Sequence, residues 1–167
     1  RLAADVVGAT KMDRPEWGSV HPRTGEVYMT LTNNSGRPAG EVNQSNPRGP
    51  NPYGHIIRWR EAGGRHEARA FKWDLFALAG PANDSAVFDA QGNVKALDDG
   101  NIFASPDGLW IDQFGLLWIQ TDMSGSQLSA GPFGNNAMLA ADPETGDVRR
   151  FFVGPPGSEV TGVVSTP

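Results

Sequence analysis

The sequence predicts an all-β fold, and three observations support this. Its 21 glycines and 13 prolines are spread over turn positions and do not gather in one tract. Short segments between these turns alternate apolar with polar residues, the period of a strand. One turn pattern and one pair of strands also recur along the chain. Repeated units of several short strands are typical of β-propeller blades, which we therefore predict.

The predicted strands are short apolar segments. In chain order they are WGSVHP, GEVYMTLT, HIIRWRE, DGLWID, GLLWIQTD, NAMLAADP and DVRRFFVG. In the second of these, Val27, Met29 and Leu31 are spaced two apart, so they share one face of a sheet. The segment AFKWDLFALAG fits a helix, but period two fits its aromatic residues equally well.

Two predicted turns share the pattern Pro-x-Thr-Gly-acid-Val, in residues 21–27 and 142–148. Proline presets the first turn dihedral, and glycine accepts the positive φ that closes a tight hairpin. Gly115 precedes a strand in the same way. The polar segments 34–54 and 80–104 are predicted to be insertions, the first a surface loop and the second a connection between blades.

The unit PEWGSVHPRTGEVYMTLTNN returns as PDGLWIDQFGLLWIQTDMS, and SEVTGVVSTP resembles the start of a third copy. Residues 1–167 are therefore predicted to form about two and a half blades, a partial ring truncated at both ends. Propeller repeats need neighbours to cover their sheet faces. The alternative is a β-sandwich whose hairpins are similar by coincidence.

Composition narrows the class of protein. The net charge is −5, and no basic run concentrates the 14 lysines and arginines, which argues against nucleic-acid binding. No segment approaches the roughly 20 apolar residues of a membrane helix. The chain has no cysteine, so it can form neither a disulfide nor a thiolate metal site.

Three acids begin the predicted innermost strands: Glu16, Asp107 and Glu159. Innermost strands line the central channel of a propeller, so these carboxylates are predicted to converge. Close like charges repel unless a cation neutralises them, and oxygen ligands favour a hard ion such as Ca²⁺. The alternative for each acid alone is a solvated turn residue.

Arg14 stands two residues before Glu16, with Pro15 between them, and we do not expect the two side chains to pair. A free guanidinium beside a metal could hold a phosphate or carboxylate through two hydrogen bonds. The alternative for Arg14 is a salt bridge to a neighbouring blade.

Several polar residues are weaker candidates. Asn33 and Asn34 end a hairpin and could offer carbonyl oxygens to a metal, and Asn34 is also predicted to contact substrate. Asp122 occupies the matching place in the next copy. For Asn135 and Asn136 a turn is the better interpretation.

Five segments together resemble the PhoX-type alkaline phosphatases over nearly the whole chain: MDRPEW with HPRTGEVYMTLTNN, NPRGPNPYGHIIRWRE, FASPDGLWIDQFGLLWIQTD, NNAMLAADPETGDVRRFFVGP and SEVTG. The resemblance implies the C-terminal part of a larger six-bladed propeller that hydrolyses phosphate monoesters with calcium and iron. It also implies export by the twin-arginine route, and hence a periplasmic or secreted protein.

The resemblance further implies that Arg14 binds phosphate and acts in catalysis, and that Glu16, Asp107 and Glu159 are metal ligands. The iron site, with its expected cysteine ligand, cannot be complete here, so the chain alone is expected to be inactive. Its expected partners are a small phosphomonoester and the rest of the propeller.

Two other functions stay open at this point. PDGLWID and GLLWIQ are also similar to calcium-dependent lactonases on six-bladed propellers, although the RPEW arginine and the NPRGPNPYGH segment favour the phosphatase. A propeller without enzymatic activity, which binds a ligand or protein at its top face, is the second alternative.

Overall fold

Antiparallel strands in two sheets dominate the computed structural model, which describes residues 2–166. The first sheet has six strands in chain order: β1 (Pro15–Val20), β2 (Val27–Leu31), β3 (His55–Glu61), β4 (Phe71–Leu78), β5 (Ala86–Phe88) and β6 (Val94–Ala96). The second has four: β7 (Pro106–Ile111), β8 (Leu117–Thr121), β9 (Ala137–Asp142) and β10 (Asp147–Val153). The prediction of a mostly β fold is confirmed.

Two short helices were not predicted: α1 (Leu2–Val6) and α2 (Gly125–Ala130). Helix α2 begins with a capping box, in which the Ser124 hydroxyl accepts from the Gln127 backbone N–H while the Gln127 side chain accepts from the Ser124 backbone. The Ser-x-x-Gln spacing is a known start signal for a helix. The strand interpretation of AFKWDLFALAG was right, because most of this segment forms β4.

The first two strands of each sheet form matching hairpins. The β1–β2 register shifts between Pro15 and Gly18, and the β7–β8 register shifts between Pro106 and Leu109. The repeated sequence therefore corresponds to a repeated hairpin, and the register shift near the start of its first strand is repeated too. The predicted third copy differs, because residues 158–166 contain no strand.

The two Thr-Gly turns also match. Gly25 and Gly146 have φ angles of 71° and 70°, and each N–H donates to the carbonyl oxygen four residues earlier, at 2.9 Å and 2.8 Å. Positive φ costs glycine little, which explains the residue at this place in both turns.

Strands β1 and β2 pack against β7, which joins the two sheets. The hydroxyl of Thr30 donates to the carbonyl oxygen of Asp107 at 2.8 Å, and that of Thr32 to Pro106 at 3.0 Å. Hydrogen bonds from β2 and from the residue directly after it therefore join the first sheet to β7 of the second sheet. One apolar core spans both sheets and includes Tyr28 and Phe103.

The two predicted insertions, residues 34–54 and 80–104, have more structure than the surface loop and the connection that the sequence predicts: the first has buried side chains and the second contains strands. Residues 34–54 join β2 to β3 but bury Arg37, Asn46 and Asn51. Burial is possible because each of these side chains has hydrogen-bond partners. Residues 80–104 contain β5 and β6, which extend the first sheet. Among residues 2–166, no helix has the length and apolar character needed to cross a membrane.

Candidate metal and phosphate site

Three carboxylates converge beside the joint between the sheets. Asp107, Asp122 and Glu159 each offer an oxygen, and these oxygens lie within 4.8 Å of one another. Asp107 is the second residue of β7, Asp122 directly follows β8, and Glu159 lies in the segment after β10. Two of these acids are predicted ligands, and the third was a weaker candidate.

The backbone around Asp107 and Asp122 is held from both sheets. Thr30 of β2 binds the carbonyl of Asp107, and the N–H of Asp122 donates to the carbonyl of Ser105 at 3.0 Å. The hairpin β7–β8 therefore presents both acids at its open end, opposite the turn that joins its two strands.

Two asparagines fix the segment that carries Glu159. Asn135 donates to the carbonyls of Gly154 at 3.0 Å and Pro155 at 2.7 Å. Asn136 donates to the carbonyls of Ser158 and Met123, both at 3.2 Å. These side chains therefore tie the residue before Glu159 to the residue after Asp122, a role that the turn interpretation did not anticipate.

Gly108 allows the Glu159 segment to approach β7. A Cβ atom at this position would lie 2.7 Å from the carbonyl oxygen of Thr161 and 2.4 Å from the side-chain oxygen of Gln120. Both distances are shorter than van der Waals contact allows. The glycine of the PDG sequence is thus explained by close packing of the chain beside the acidic cluster.

The cluster disfavours ionisation of its central acid. Burial raises the pKa of Asp107, and the negative charges of Glu16, Asp122 and Glu159 raise it further, whereas Arg14 opposes them. Glu16 therefore acts on the cluster electrostatically, although it is not one of the three acids whose oxygens meet.

Arg14 and Glu16 contact each other, contrary to the sequence expectation. A terminal guanidinium nitrogen of Arg14 lies 3.4 Å from Oε1 of Glu16, and both side chains are partly exposed. The expectation was wrong because alternation along a strand places residues two apart on the same face, so the intervening Pro15 does not keep the two side chains apart.

Asn33 is the second partner of Arg14. Its side-chain oxygen accepts from the Arg14 guanidinium at 3.0 Å, and its amide nitrogen donates to the Ser105 hydroxyl at 3.0 Å. Ser105 in turn accepts from the side-chain amide of Gln127 at 2.8 Å. A chain of hydrogen bonds thus connects Arg14 to helix α2. The feature of the sequence that indicated Asn33 as a site residue was the pair of asparagines that follows β2.

Asn34 points away from Arg14. Its amide nitrogen donates to Asp13 at 2.9 Å, and its oxygen accepts from the backbone of Gly36 at 3.2 Å. Asp13 is buried and also accepts from Arg37 at 2.6 Å and Asn51 at 3.0 Å. This polar cluster anchors the residue directly before Arg14. The substrate contact expected of Asn34 stays a prediction.

The donor set suits a hard cation. Asp107, Asp122 and Glu159 offer only carboxylate oxygens, the ligands that Ca²⁺ takes, and a positive ion between them would relieve their mutual repulsion. With no cysteine in the chain, a site built on thiolates has no donor here. These residues therefore fit a calcium ion.

Comparison with known proteins identifies a family and a similar structure. The family model described as alkaline phosphatase PhoX matches residues 1–167. The structure of Pseudomonas fluorescens PhoX in complex with vanadate, a transition state analogue, is 50% identical with a TM-score of 0.78. The similarity covers 97% of this chain and 28% of that chain. No curated protein matches.

Proposed function

The chain belongs to the alkaline phosphatase PhoX family, and on this premise we propose that it is part of a longer protein that hydrolyses phosphate monoesters. The observation that carries the proposal is the convergence of Asp107, Asp122 and Glu159 with Arg14 close enough to act on their charge. A carboxylate cluster beside a guanidinium can bind a cation and an anionic ester together. The chain spans 28% of the length of the similar structure, so the activity belongs to the longer protein.

The three converging acids are the proposed calcium ligands, with Glu16 beside them as a further acid that can turn toward the ion. A bound calcium ion would supply Lewis-acid stabilisation of negative charge on the phosphoryl oxygens. Iron, the other metal implied by the resemblance, would need donors beyond these residues, including the cysteine that this chain does not contain.

Arg14 is the proposed phosphate-binding and catalytic residue. Its guanidinium has more donors than its two partners Asn33 and Glu16 occupy, so it can donate to phosphoryl oxygens while keeping its orientation. A charged donor already in place stabilises the extra charge of the transition state without reorganisation.

The two sheets are the proposed blades of a propeller, six-bladed as the resemblance implies. The matching hairpins β1–β2 and β7–β8, with their joint at the acids, support this arrangement. The rest of the ring is then the partner that covers the outer sheet faces. A periplasmic or secreted location is proposed on family membership alone.

The test is an assay of the full-length protein on p-nitrophenyl phosphate and on a lactone, with Ca²⁺ and after chelation. We expect calcium-dependent release of p-nitrophenol and no lactone turnover. Lactone hydrolysis without phosphate release would establish the lactonase instead, and a protein without bound metal or either activity would be a binding propeller.

Arg14→Lys examines the guanidinium within the same assay. Lysine keeps the charge but loses the planar, two-pronged donor, so kcat/KM should fall by about 100-fold or more. Arg69→Lys, at an exposed position, is the matched control and should leave kcat/KM unchanged. Equal rates for the two variants would remove Arg14 from the proposal.

A further inference from the structure

We propose that the cavity between Arg14 and helix α2 binds the alcohol group of the phosphate ester, an inference that rests on the proposed function. The cavity has a volume of about 370 Å³. Arg14 and Asn33 form one end of it, and Ser124 and Ser126 form the side toward the helix. Its size is in the range of pockets that hold small organic molecules.

The cavity adjoins the site of the phosphoryl group. Arg14 lines the cavity and also acts electrostatically on Asp107. Ser124, on the opposite wall, is two residues from Asp122. A phosphoryl group held between Arg14 and the acids therefore has this cavity beside it, and the substituent on the ester oxygen can enter it directly.

The residues that line the cavity favour an uncharged group that has hydrogen-bonding atoms on one side and an apolar face on the other. Among residues 2–166, Arg14 is the one charged residue of the lining, and the phosphoryl group would pair with its charge. The exposed hydroxyl of Ser126, whose partner in the fold is the Ser124 hydroxyl at 2.9 Å, can make a further hydrogen bond on one side. On another side Tyr53 packs against buried Phe133, with ring centroids 5.8 Å apart. A sugar or nucleoside, with hydroxyl groups and a ring face, matches these walls.

The helix wall is preformed. The side-chain amide of Gln127 donates to the carbonyl of Pro52 at 2.8 Å and to the hydroxyl of Ser105 at 2.8 Å. Its oxygen accepts from the backbone N–H of Ser124 at 2.9 Å. Since Ser105 also holds Asn33, the wall and the Arg14 end keep a fixed separation. A ligand group that enters therefore meets walls that need little ordering.

The test compares a substitution that fills the cavity with a matched substitution that leaves the cavity open. Ser126 lines the cavity, whereas Ser129, on the same helix, lines a different depression. Both serines are exposed. In the full-length protein, Ser126→Trp should lower kcat/KM for a nucleoside monophosphate by at least about tenfold. It should leave kcat/KM for methyl phosphate and inhibition by inorganic phosphate unchanged, because these ligands have little or no group to place in the cavity.

Ser129→Trp should leave all three quantities unchanged. Saturation-transfer NMR with the free nucleoside gives a readout without catalysis: contact signals should appear with the unchanged protein and with Ser129→Trp, and disappear with Ser126→Trp. If Ser126→Trp does not fold, as judged by circular dichroism, Ala130→Trp fills the same cavity from the end of the helix.

The outcomes separate the two proposals. An unchanged protein that hydrolyses no phosphate ester contradicts the proposed function. An active protein whose Ser126→Trp variant affects methyl phosphate as strongly as the nucleoside ester, or affects neither, overturns the cavity assignment alone. Equal losses in the Ser126 and Ser129 variants overturn it as well.

Discussion

A carboxylate oxygen of Asp107 lies within 4.8 Å of one from Glu159, although the two residues lie in segments separated by β8, β9 and β10. Burial, with the nearby negative charges, raises the pKa of Asp107. The fold thus holds these acids together against their repulsion, and Asn135 and Asn136 supply part of the restraint. An arrangement that opposes its own charges is typical of a cation site.

Asp107→Asn should have opposite effects on metal binding and on stability. Asparagine keeps the shape but removes one negative charge, so calcium affinity, measured by isothermal titration calorimetry, should fall by about 10- to 100-fold or more. Without metal at neutral pH, the same change relieves repulsion, and the midpoint of urea unfolding should rise.

Asp99→Asn is the control for this prediction, because Asp99 is exposed and lies outside the cluster. It should change neither calcium affinity nor the unfolding midpoint. Calcium binding that is equally strong in the Asp107 variant and the unchanged protein would contradict the assignment of the ion to this cluster.

Asn33→Ala and Asn34→Ala should separate two roles that adjacent residues play. Asn33→Ala removes the acceptor that orients Arg14. A hydrogen bond to a charged group contributes about 1.5 kcal/mol, so phosphate affinity, measured as inhibition of the full-length protein by inorganic phosphate, should weaken about tenfold. Asn34→Ala removes a donor to buried Asp13, so it should lower the unfolding free energy and leave phosphate inhibition unchanged. The reverse result would support the substrate contact predicted for Asn34.

The sequence predicted the sheets and part of the site because both follow local patterns. Turn glycines and period two define the hairpins, and the repeat places Asp107 at the start of a hairpin. It did not predict the contact between Arg14 and Glu16, although residues two apart in a strand share a face. A contact between two partly exposed side chains depends on their rotamers, which a linear pattern does not contain.

The connections from the site to the rest of the chain were the least predictable part. Ser105, Gln127 and Asn136 carry ordinary polar side chains, and nothing in their spacing indicates that they meet Asn33 or the Glu159 segment. Helix α2 was missed although its Ser-x-x-Gln start was readable. Such contacts join segments that are far apart in the sequence, so a local pattern does not contain them.

Gly108→Ala should loosen the Glu159 segment. The new Cβ atom would meet the Thr161 carbonyl and the Gln120 side chain at impossible distances, so the segment must move away from β7. Calcium affinity should then fall by about tenfold or more, and the thermal midpoint should drop by several degrees, the usual result of overpacking by about 1–3 kcal/mol.

Gly162→Ala is the matched control for this change. It lies next to Thr161 in the same segment, and a Cβ atom there meets nothing within 4 Å. Its calcium affinity should equal that of the unchanged chain. A Gly108→Ala variant that binds calcium normally would show that the Glu159 segment does not depend on this close approach.

His55 should make the fold sensitive to acid. The ring is fully buried, with Nε2 2.7 Å from the carbonyl oxygen of Ser45 and Nδ1 3.0 Å from the side-chain amide nitrogen of Asn51. Since the carbonyl can only accept and the amide can only donate, the neutral ring donates through Nε2 and accepts at Nδ1. Burial lowers the pKa of His55 to about 4. A proton on Nδ1 would face the Asn51 donor, so the folded state resists protonation.

The unfolded chain takes up this proton first as the pH falls, because the pKa of an unperturbed histidine is about 6.5. The contribution of His55 to stability is therefore complete above pH of about 6.5, falls as the pH drops toward about 4, and is constant below that. The loss should approach about 3 kcal/mol.

Urea unfolding between pH 7 and pH 4 measures this loss as the slope of the unfolding free energy against pH. The slope of the unchanged chain is compared with that of His55→Gln, whose side chain does not titrate. His66→Gln, at an exposed position, should keep the slope of the unchanged chain. If His55→Gln retains the full acid sensitivity, the buried ring is not its source.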